Sequence, residues 1–376
     1  MSKITASLGL MSGTSMDGID LALLKTNGEQ IIERGPSGFF PYSPQTQEML
    51  REALVAASEI TERTQRPGNL VLVEEKVTSL HVHAVEAFLH ENKLSKADID
   101  LIGFHGQTVL HRPDKGLTVQ LGDASLLTKE TGIPTVYDLR ANDMEHGGQG
   151  APLVPVYHQA LASNIKQAYA NQKPVVFVNI GGISNVTYVG EALMAFDCGP
   201  GNALIDQWVQ KTVGIPFDQS GMIAAEGRVD EAFVNAYLAD SFFSKPAPKS
   251  LDRNDFKLPE ATTLSVETVA RSFARLTAES IFKSAEHFPA QPLLWVICGG
   301  GRQNPHIMED LLALAHDTGG EVVSAEKAGF NGDAMEAEAW AYLAVRSLAG
   351  LPLTFPQTTG CSKAVSGGKL WEVKTI

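Results

Sequence analysis

Five stretches of the chain place glycines, hydroxyls and carboxylates where phosphate and proton chemistry could be done. The first is Gly9–Asp20, GLMSGTSMDGID, with apolar residues on both sides. Glycines 13 and 18 let backbone N–H groups approach a ligand, while Ser12, Thr14 and Ser15 supply hydroxyls. Asp17 adds a carboxylate able to order a hydrated magnesium ion. The loop lacks the lysine of a Walker A motif. The same residues also suit a plain hairpin turn. A second nest of amides lies in VNIGGISNV at 178–186, where a Gly-Gly hairpin turn is the simpler alternative. The third stretch, CGGGRQNPHIMEDL at 298–311, sets glycines between a strand and a helix. A flat base or ribose could lie there against bare backbone, at a favourable helix N-terminus. Its spacing is not G-x-G-x-x-G and no following βα unit supplies a ribose-binding acid, which disfavours hydride transfer.

The fourth stretch is AFDCGPGNALIDQW at 195–208. Asp197 follows an apolar run and precedes CGPGN, a position from which a carboxylate can take a proton as a nucleophile attacks. The alternative is a cap on the helix that starts near Asn202. In the fifth, GFHGQTVLHRP, His105, Gln107 and Thr108 present several donors, as a polyhydroxylated or amide-bearing substrate requires, although a histidine can equally be structural. Arg140, in YDLRAND, could pair with a carboxylate or phosphate or make an internal salt bridge. His81 and His83, two apart on a helical pattern, point to different faces and do not form a metal site.

These motifs need elements to hold them. Apolar runs around SGTSMDG and around NIGG predict two β-loop-β hairpins about 170 residues apart, a duplication of architecture rather than of sequence. Residues 69–92 and 333–348 have helical spacing, and 98–111 reads as a strand entering a loop at HGQT. Residues 137–155 read as a loop, and the tail beyond Gly350 is rich in Gly, Ser and Pro. A chain of 376 residues implies two domains. They are expected as similar α/β domains facing each other. The first covers 1–138 with roughly 333–376 crossing back, and the second covers 139–332.

The net charge of −13 with scattered basic residues gives no footprint for nucleic acid or an anionic membrane. Three well-separated cysteines signal neither a disulfide framework nor zinc and fit a reducing cytoplasm. The N-terminal apolar stretch is too short and interrupted for a secretory signal, and no run is long enough to span a bilayer. A soluble, unprocessed cytoplasmic protein is the expectation.

Three glycine-rich strand ends in this order resemble the acetate and sugar kinase, heat-shock protein 70 and actin superfamily. GLMSGTSMDGID, HGQT, GGQGAPLVP at 147–155, NIGG, FDCGPGN, CGGG and the Met335-Glu336 pair together resemble the anhydro-N-acetylmuramic acid kinases over the whole chain. The resemblance implies two RNase H-like domains of actin and hexokinase type around a central cleft for nucleotide and substrate. It implies ATP and Mg2+ as cofactors and 1,6-anhydro-N-acetylmuramic acid as substrate, and it allows a homodimer. Asp197 would be the catalytic base. Gly13, Thr14, Ser15, Met16, Asp17, Gly18, Gly181, Gly182, Gly299, Gly300, Gly301 and Asn304 would hold the nucleotide. His105, Gln107, Thr108 and Arg140 would hold the sugar, and Asp17, through water, and Glu336 the magnesium. The expected reaction opens the anhydro bridge with water and phosphorylates O6, in cell-wall recycling. The halves would close on ligands by hinging near 135–143 and 330–335.

One departure from the family is visible. Many relatives carry an arginine-rich run where this chain has Asp138-Leu139-Arg140-Ala141-Asn142-Asp143, so only Arg140 is available. Alternatives within enzymes are an ordinary sugar or carboxylate kinase. Outside them stand a filament-forming or chaperone ATPase, which sedimentation with ATP would reveal, and a silent muropeptide sensor. No residues remain for a chaperone's peptide-binding domain, and a sensor has no need of Asp17 and Asp197 beside three nucleotide loops.

Overall fold

A computed structural model describes residues 3–30, 32–252 and 255–373. The extreme ends of the expected first domain, residues 1–2 and 374–376, lie outside these. The chain divides into two compact units, Met1–Asn164 with Ala334–Ile376, and Ile165–Asp333.

The first unit is built on one sheet. Strands β1 (Thr5–Ser12), β2 (Gly18–Thr26) and β3 (Ile32–Pro41) form an antiparallel meander. Strand β4 (Leu101–Arg112) pairs parallel to β1, and β6 (Thr135–Tyr137) parallel to β4. Strand β5 (Leu117–Leu121) folds back on β4, and β12 (Lys369–Trp371) closes the far edge on β6. The second unit repeats the plan. Strands β7 (Val175–Ile180), β8 (Ile183–Val189) and β9 (Leu193–Pro200) make the meander, while β10 (Leu294–Cys298) runs parallel to β7 and β11 (Glu321–Ser324) parallel to β10. Both sheets therefore share the 3-2-1-4-5 order of an RNase H-like domain, the duplication that the paired hairpins implied and the fold that the family resemblance implied.

Period-two alternation divides the first sheet between two helical layers. On one face Leu8, Leu10, Ile19 and Leu21 form a core with Leu70, Val73, Val77, Val85 and Phe88 of the Leu70–Glu91 helix. On the other face, Gly9 and Gly103 admit the Met335–Leu348 helix to direct backbone contact. A Cβ at Gly9 would lie 1.8 Å from the Ala337 carbonyl oxygen, and one at Gly103 would lie 2.2 Å from that of Trp340. In the second unit, Val176, Val178 and Ile180 bury against Val269, Phe273, Leu276 and Ile281, the apolar stripe of the Val266–Lys283 helix. Each such fully buried side chain contributes roughly 1.5–3 kcal/mol.

Three expectations change, one being that residues 137–155 are not all loop but contain the short Ala141–Glu145 helix. Residues 139–164 belong with the first unit, whereas the sequence reading put the boundary at 138. Within this stretch the Tyr157 hydroxyl donates to Glu338 at 2.7 Å, its ring packs 5.3 Å from that of Tyr342, and Asn164 bonds Gln30. HGQT is not a loop but the middle of β4. Gly106 stands at φ +72, with the Leu121 carbonyl 2.5 Å from where a side chain would begin, so the strand kinks without ending.

Gly103→Ala should destabilise the protein by about 1–3 kcal/mol or more, because overpacking against backbone cannot be relieved by a rotamer change. Denaturant unfolding measures this, and an unchanged midpoint contradicts the packing described.

Candidate active site

The Gly13–Gly18 turn joins β1 to β2 and is held from below by β4. The Met16 N–H donates to the Gly13 carbonyl at 3.2 Å, and Met16 adopts φ +56. The Gln107 amide donates to the Gly13 carbonyl at 2.9 Å, and the Ser12 hydroxyl to that of Gly106 at 2.9 Å. Thr14, Ser15 and Asp17 are exposed, and the Ser15 hydroxyl donates to Asp17 Oδ1 at 2.7 Å.

His105 sits at the centre of a fixed relay. Its Nδ1 lies 3.2 Å from the Ser12 carbonyl, and its Nε2 faces Arg140 Nη2 at 3.1 Å and Nε at 3.3 Å. A guanidinium can only donate, so Nε2 accepts and the proton resides on Nδ1. Arg140 also donates to the Gly150 carbonyl at 2.7 Å. Trp340, which sequence reasoning left out of the site, supports both, with its ring 4.5 Å from that of His105 and 5.2 Å from the Arg140 guanidinium carbon. Its spacing of four from Glu336 on one helix face was the available signal. Burial, reinforced by the Arg140 charge, holds the His105 pKa well below its ordinary 6.5. Burial also lowers that of Arg140 to about 10.

Glu336 keeps its side chain open to solvent while protein crowds around it. That crowding, the largest cause, raises its carboxyl pKa, with Asp17 adding repulsion and Arg140 opposing. Two interacting carboxylates, one on the exposed Gly13–Gly18 turn, are a donor set suited to magnesium, which takes one or two carboxylates together with phosphate oxygens and water. Among the described residues no group of three His, Cys, Asp or Glu side chains could hold a metal by itself.

Beside His105 and Gly106 opens a cavity of about 380 Å³ whose charged lining is Arg63, Arg66, Glu74, Asp138 and Lys369. Arg66 pairs with Glu74 at 2.8 Å, while Asp138, at φ +56, bridges Arg63 and Lys369. Gln120 in its wall donates to Thr108 at 3.1 Å. At the two positions after Arg140, Ala141 is buried and Asn142 donates to the Ser366 carbonyl at 2.6 Å.

In the second unit, the Gly181 and Gly182 carbonyls accept from the N–H groups of Gly201, Asn202 and Ala203, tying the NIGG turn to the start of the Ala203–Thr212 helix. After β10, Arg302 braces the glycine run by bonding the Gly299 carbonyl and pairing with Glu326 and Asp333 at 3.0 and 2.8 Å. Asn304 Oδ1 caps the Pro305–Thr318 helix at His306 and Ile307. The glycines divide by what their surroundings demand. Gly18, Gly299 and Gly301 would place a Cβ 2.2–2.5 Å from neighbouring atoms, so the fold itself requires them. At Gly13, Gly181 and Gly182 the nearest atoms lie 3.5, 3.7 and 3.8 Å away, and at Gly300 none lies within 4 Å. Packing does not require these four, which leaves room for a ligand against bare backbone.

Asp197 projects from β9, the edge strand of the second sheet. The pairing of β8 and β9 skips Cys198, a bulge that turns the aspartate relative to the strand before it. Its Oδ2 accepts the Leu251 N–H at 2.8 Å, and its own N–H donates to the Lys249 carbonyl at 2.9 Å. It does not cap the following helix, whose first residue is preceded by Asn202 without a side-chain cap. Burial raises its pKa to about 6, the Leu251 bond opposing.

The duplicated topology, with a glycine turn after the first strand of each sheet, is the two-domain α/β fold of the actin and sugar-kinase class. Comparison narrows this. The anhydro-N-acetylmuramic acid kinase family profile matches residues 5–372, and the chain belongs to that family of enzymes. It is 55% identical over 372 residues to the anhydro-N-acetylmuramic acid kinase of Agrobacterium fabrum, covering 98% of this chain and 99% of the relative. The namesakes from Brucella canis, 55% identical over 370 residues, and Rhizobium etli, 52% over 372, cover the same shares. No helix among the described residues is long and apolar enough to cross a membrane, and all three cysteines are buried thiols.

The relay keeps His105 neutral, since charging it would place a cation beside Arg140. Its imidazole resonances should therefore not titrate between about pH 5.5 and 8, with nitrogen shifts of the Nδ1–H tautomer. A titration near 6.5 contradicts the relay.

Proposed function

We propose that this chain uses ATP and water to convert 1,6-anhydro-N-acetylmuramic acid to N-acetylmuramic acid 6-phosphate and ADP, in cell-wall recycling. The observation that carries the mechanism is Asp197, a carboxylate fixed by a backbone N–H with its pKa raised to about 6. The anhydro bridge leaves no free 6-hydroxyl to act as nucleophile. Asp197 therefore takes a proton from water as its oxygen bonds to the anomeric carbon. The C1–O6 bond breaks, O6 bonds to the γ-phosphorus, and ADP leaves. A base with a pKa one or two units below neutral is ionised at working pH yet basic enough to help.

The remaining residues bind and orient. The open glycine backbone at 13, 182 and 300 offers N–H groups to the nucleotide, with Thr14, Ser15 and Met16 around the first turn, while Gly181, whose N–H is donated to the Ile183 carbonyl, leaves its face of the second turn bare. Asp17 and Glu336 would hold magnesium, which when bound neutralises phosphate charge. Gln107, Thr108 and Arg140 face the sugar, and His105 acts by fixing Arg140 against the turn. In the neighbouring cavity three cations, Arg63, Arg66 and Lys369, outnumber the two carboxylates, Glu74 and Asp138. That excess suits an acidic sugar and stands in for the arginines absent at 141 and 142.

Asp197→Asn should retain ATP binding while losing at least about a hundredfold in kcat. Because the base works only when ionised, wild-type kcat/KM should fall as pH drops through about 6, the value to which Asp197 is raised. Near-normal turnover of the variant would remove Asp197 from this role.

A further inference from the structure

Lys249 is a buried lysine with, among the described residues, no carboxylate paired with its ammonium group. Its three N–H donors go to the Phe242 carbonyl, the Phe243 carbonyl and His287 Nε2, each at 3.1 Å. The ammonium also lies 4.6 Å from the Phe242 ring centre and 5.9 Å from that of Phe196, the residue before Asp197. Burying a cation without an opposite charge is costly, and an apolar side chain of similar length would fill the space more cheaply. All three acceptors lie outside the 249–251 segment, so the lysine ties that segment down at one end. The segment in turn grips Asp197 twice, through the Lys249 carbonyl at its N–H and the Leu251 N–H at its carboxylate. Strand β9 is a sheet edge, so without this segment the backbone N–H of Asp197 would lose its partner there.

We propose that Lys249 is a positioning residue for the reaction, its anchored ammonium holding the 249–251 segment so that Asp197 keeps one orientation toward the water it deprotonates. This rests on the reading of Asp197 as the base. Lys249 acts through the segment rather than by its charge, because its ammonium is turned toward the 242–243 carbonyls and His287.

The consequence for pH follows from the Leu251 bond. That N–H stabilises ionised Asp197 and opposes the upward push of burial. When the segment loosens, the bond weakens and the carboxyl pKa rises further. The acid limb of kcat/KM then moves to higher pH. Of the other titratable groups here, the Cys198 thiol is pushed far upward by burial, and burial with the Lys249 charge lowers His287, which stays a neutral acceptor. Glu286, Lys283 and Lys245 are the remaining charges felt by Lys249.

The test compares full-length wild type, Lys249→Met, Lys249→Arg, Leu251→Pro and Asp197→Asn with ATP, Mg2+ and the anhydro sugar. Lys249→Met should lower kcat by about 10- to 100-fold, the scale of a misplaced catalytic group, with KM for ATP within about twofold. Its acid limb should shift upward, and Lys249→Arg should restore part of both. If Lys249→Met fails to fold, Leu251→Pro carries the test, since it deletes the N–H on Asp197 and leaves the Lys249 bonds in place. It should show the same upward shift. Folded Lys249→Met or Leu251→Pro protein with wild-type kcat and acid limb, beside an inactive Asp197→Asn, overturns this inference alone. An active Asp197→Asn overturns the base assignment and the inference with it.

Discussion

The constraint on which the first unit depends is the direct seating of the Met335–Leu348 helix on the sheet at Gly9 and Gly103. Any side chain at either position would enter the helix backbone, so the two surfaces meet at the shortest distance a chain permits. This contact fixes the height of Glu336 and Trp340 above the strand ends. Trp340 then supports His105 and Arg140, and Glu336 comes within electrostatic reach of Asp17 and Arg140. A helix from the end of the chain thus sets the chemistry of a turn near its beginning.

The second unit reaches a comparable precision differently. Its carboxylate lies on an edge strand, where a β-bulge turns it and a segment some fifty residues later holds it by one backbone–backbone hydrogen bond and one from a backbone N–H to the carboxylate. Helix packing supplies rigidity in one unit, and a loop segment hydrogen-bonded to an edge strand supplies it in the other. In the second unit the carboxylate is held by main-chain groups, which have few ways to move, whereas in the first Arg140 is held by the Gly150 carbonyl together with the His105 and Trp340 side chains.

The paired hairpins, the late helix and the strand–glycine–helix junction at 298–311 could be read directly, because apolar periodicity and glycine are local signals. The kink in β4 could not. HGQT looks like a turn until β4 is known to run on beside both β1 and β5, and only then does Gly106 become a bulge, in the pairing with β1, within a strand. The unit boundary was missed for a similar reason, since Tyr157 is an ordinary helical residue until Glu338 and Tyr342 return beside it. Among the glycines, sequence could not distinguish Gly18, excluded from bearing a side chain by the Phe40 carbonyl, from Gly13, which nothing crowds. The 249–251 segment carries no motif at all.

The central claim is that water opens the anhydro ring in the same event that phosphorylates O6. Turnover of the anhydro sugar with ATP in oxygen-18 water, followed by mass spectrometry of the sugar phosphate, tests it most directly. The account predicts one heavy oxygen at C1 and none in the phosphoryl group. Heavy oxygen in the phosphate, or a phosphorylated product that retains its anhydro bridge, would contradict it.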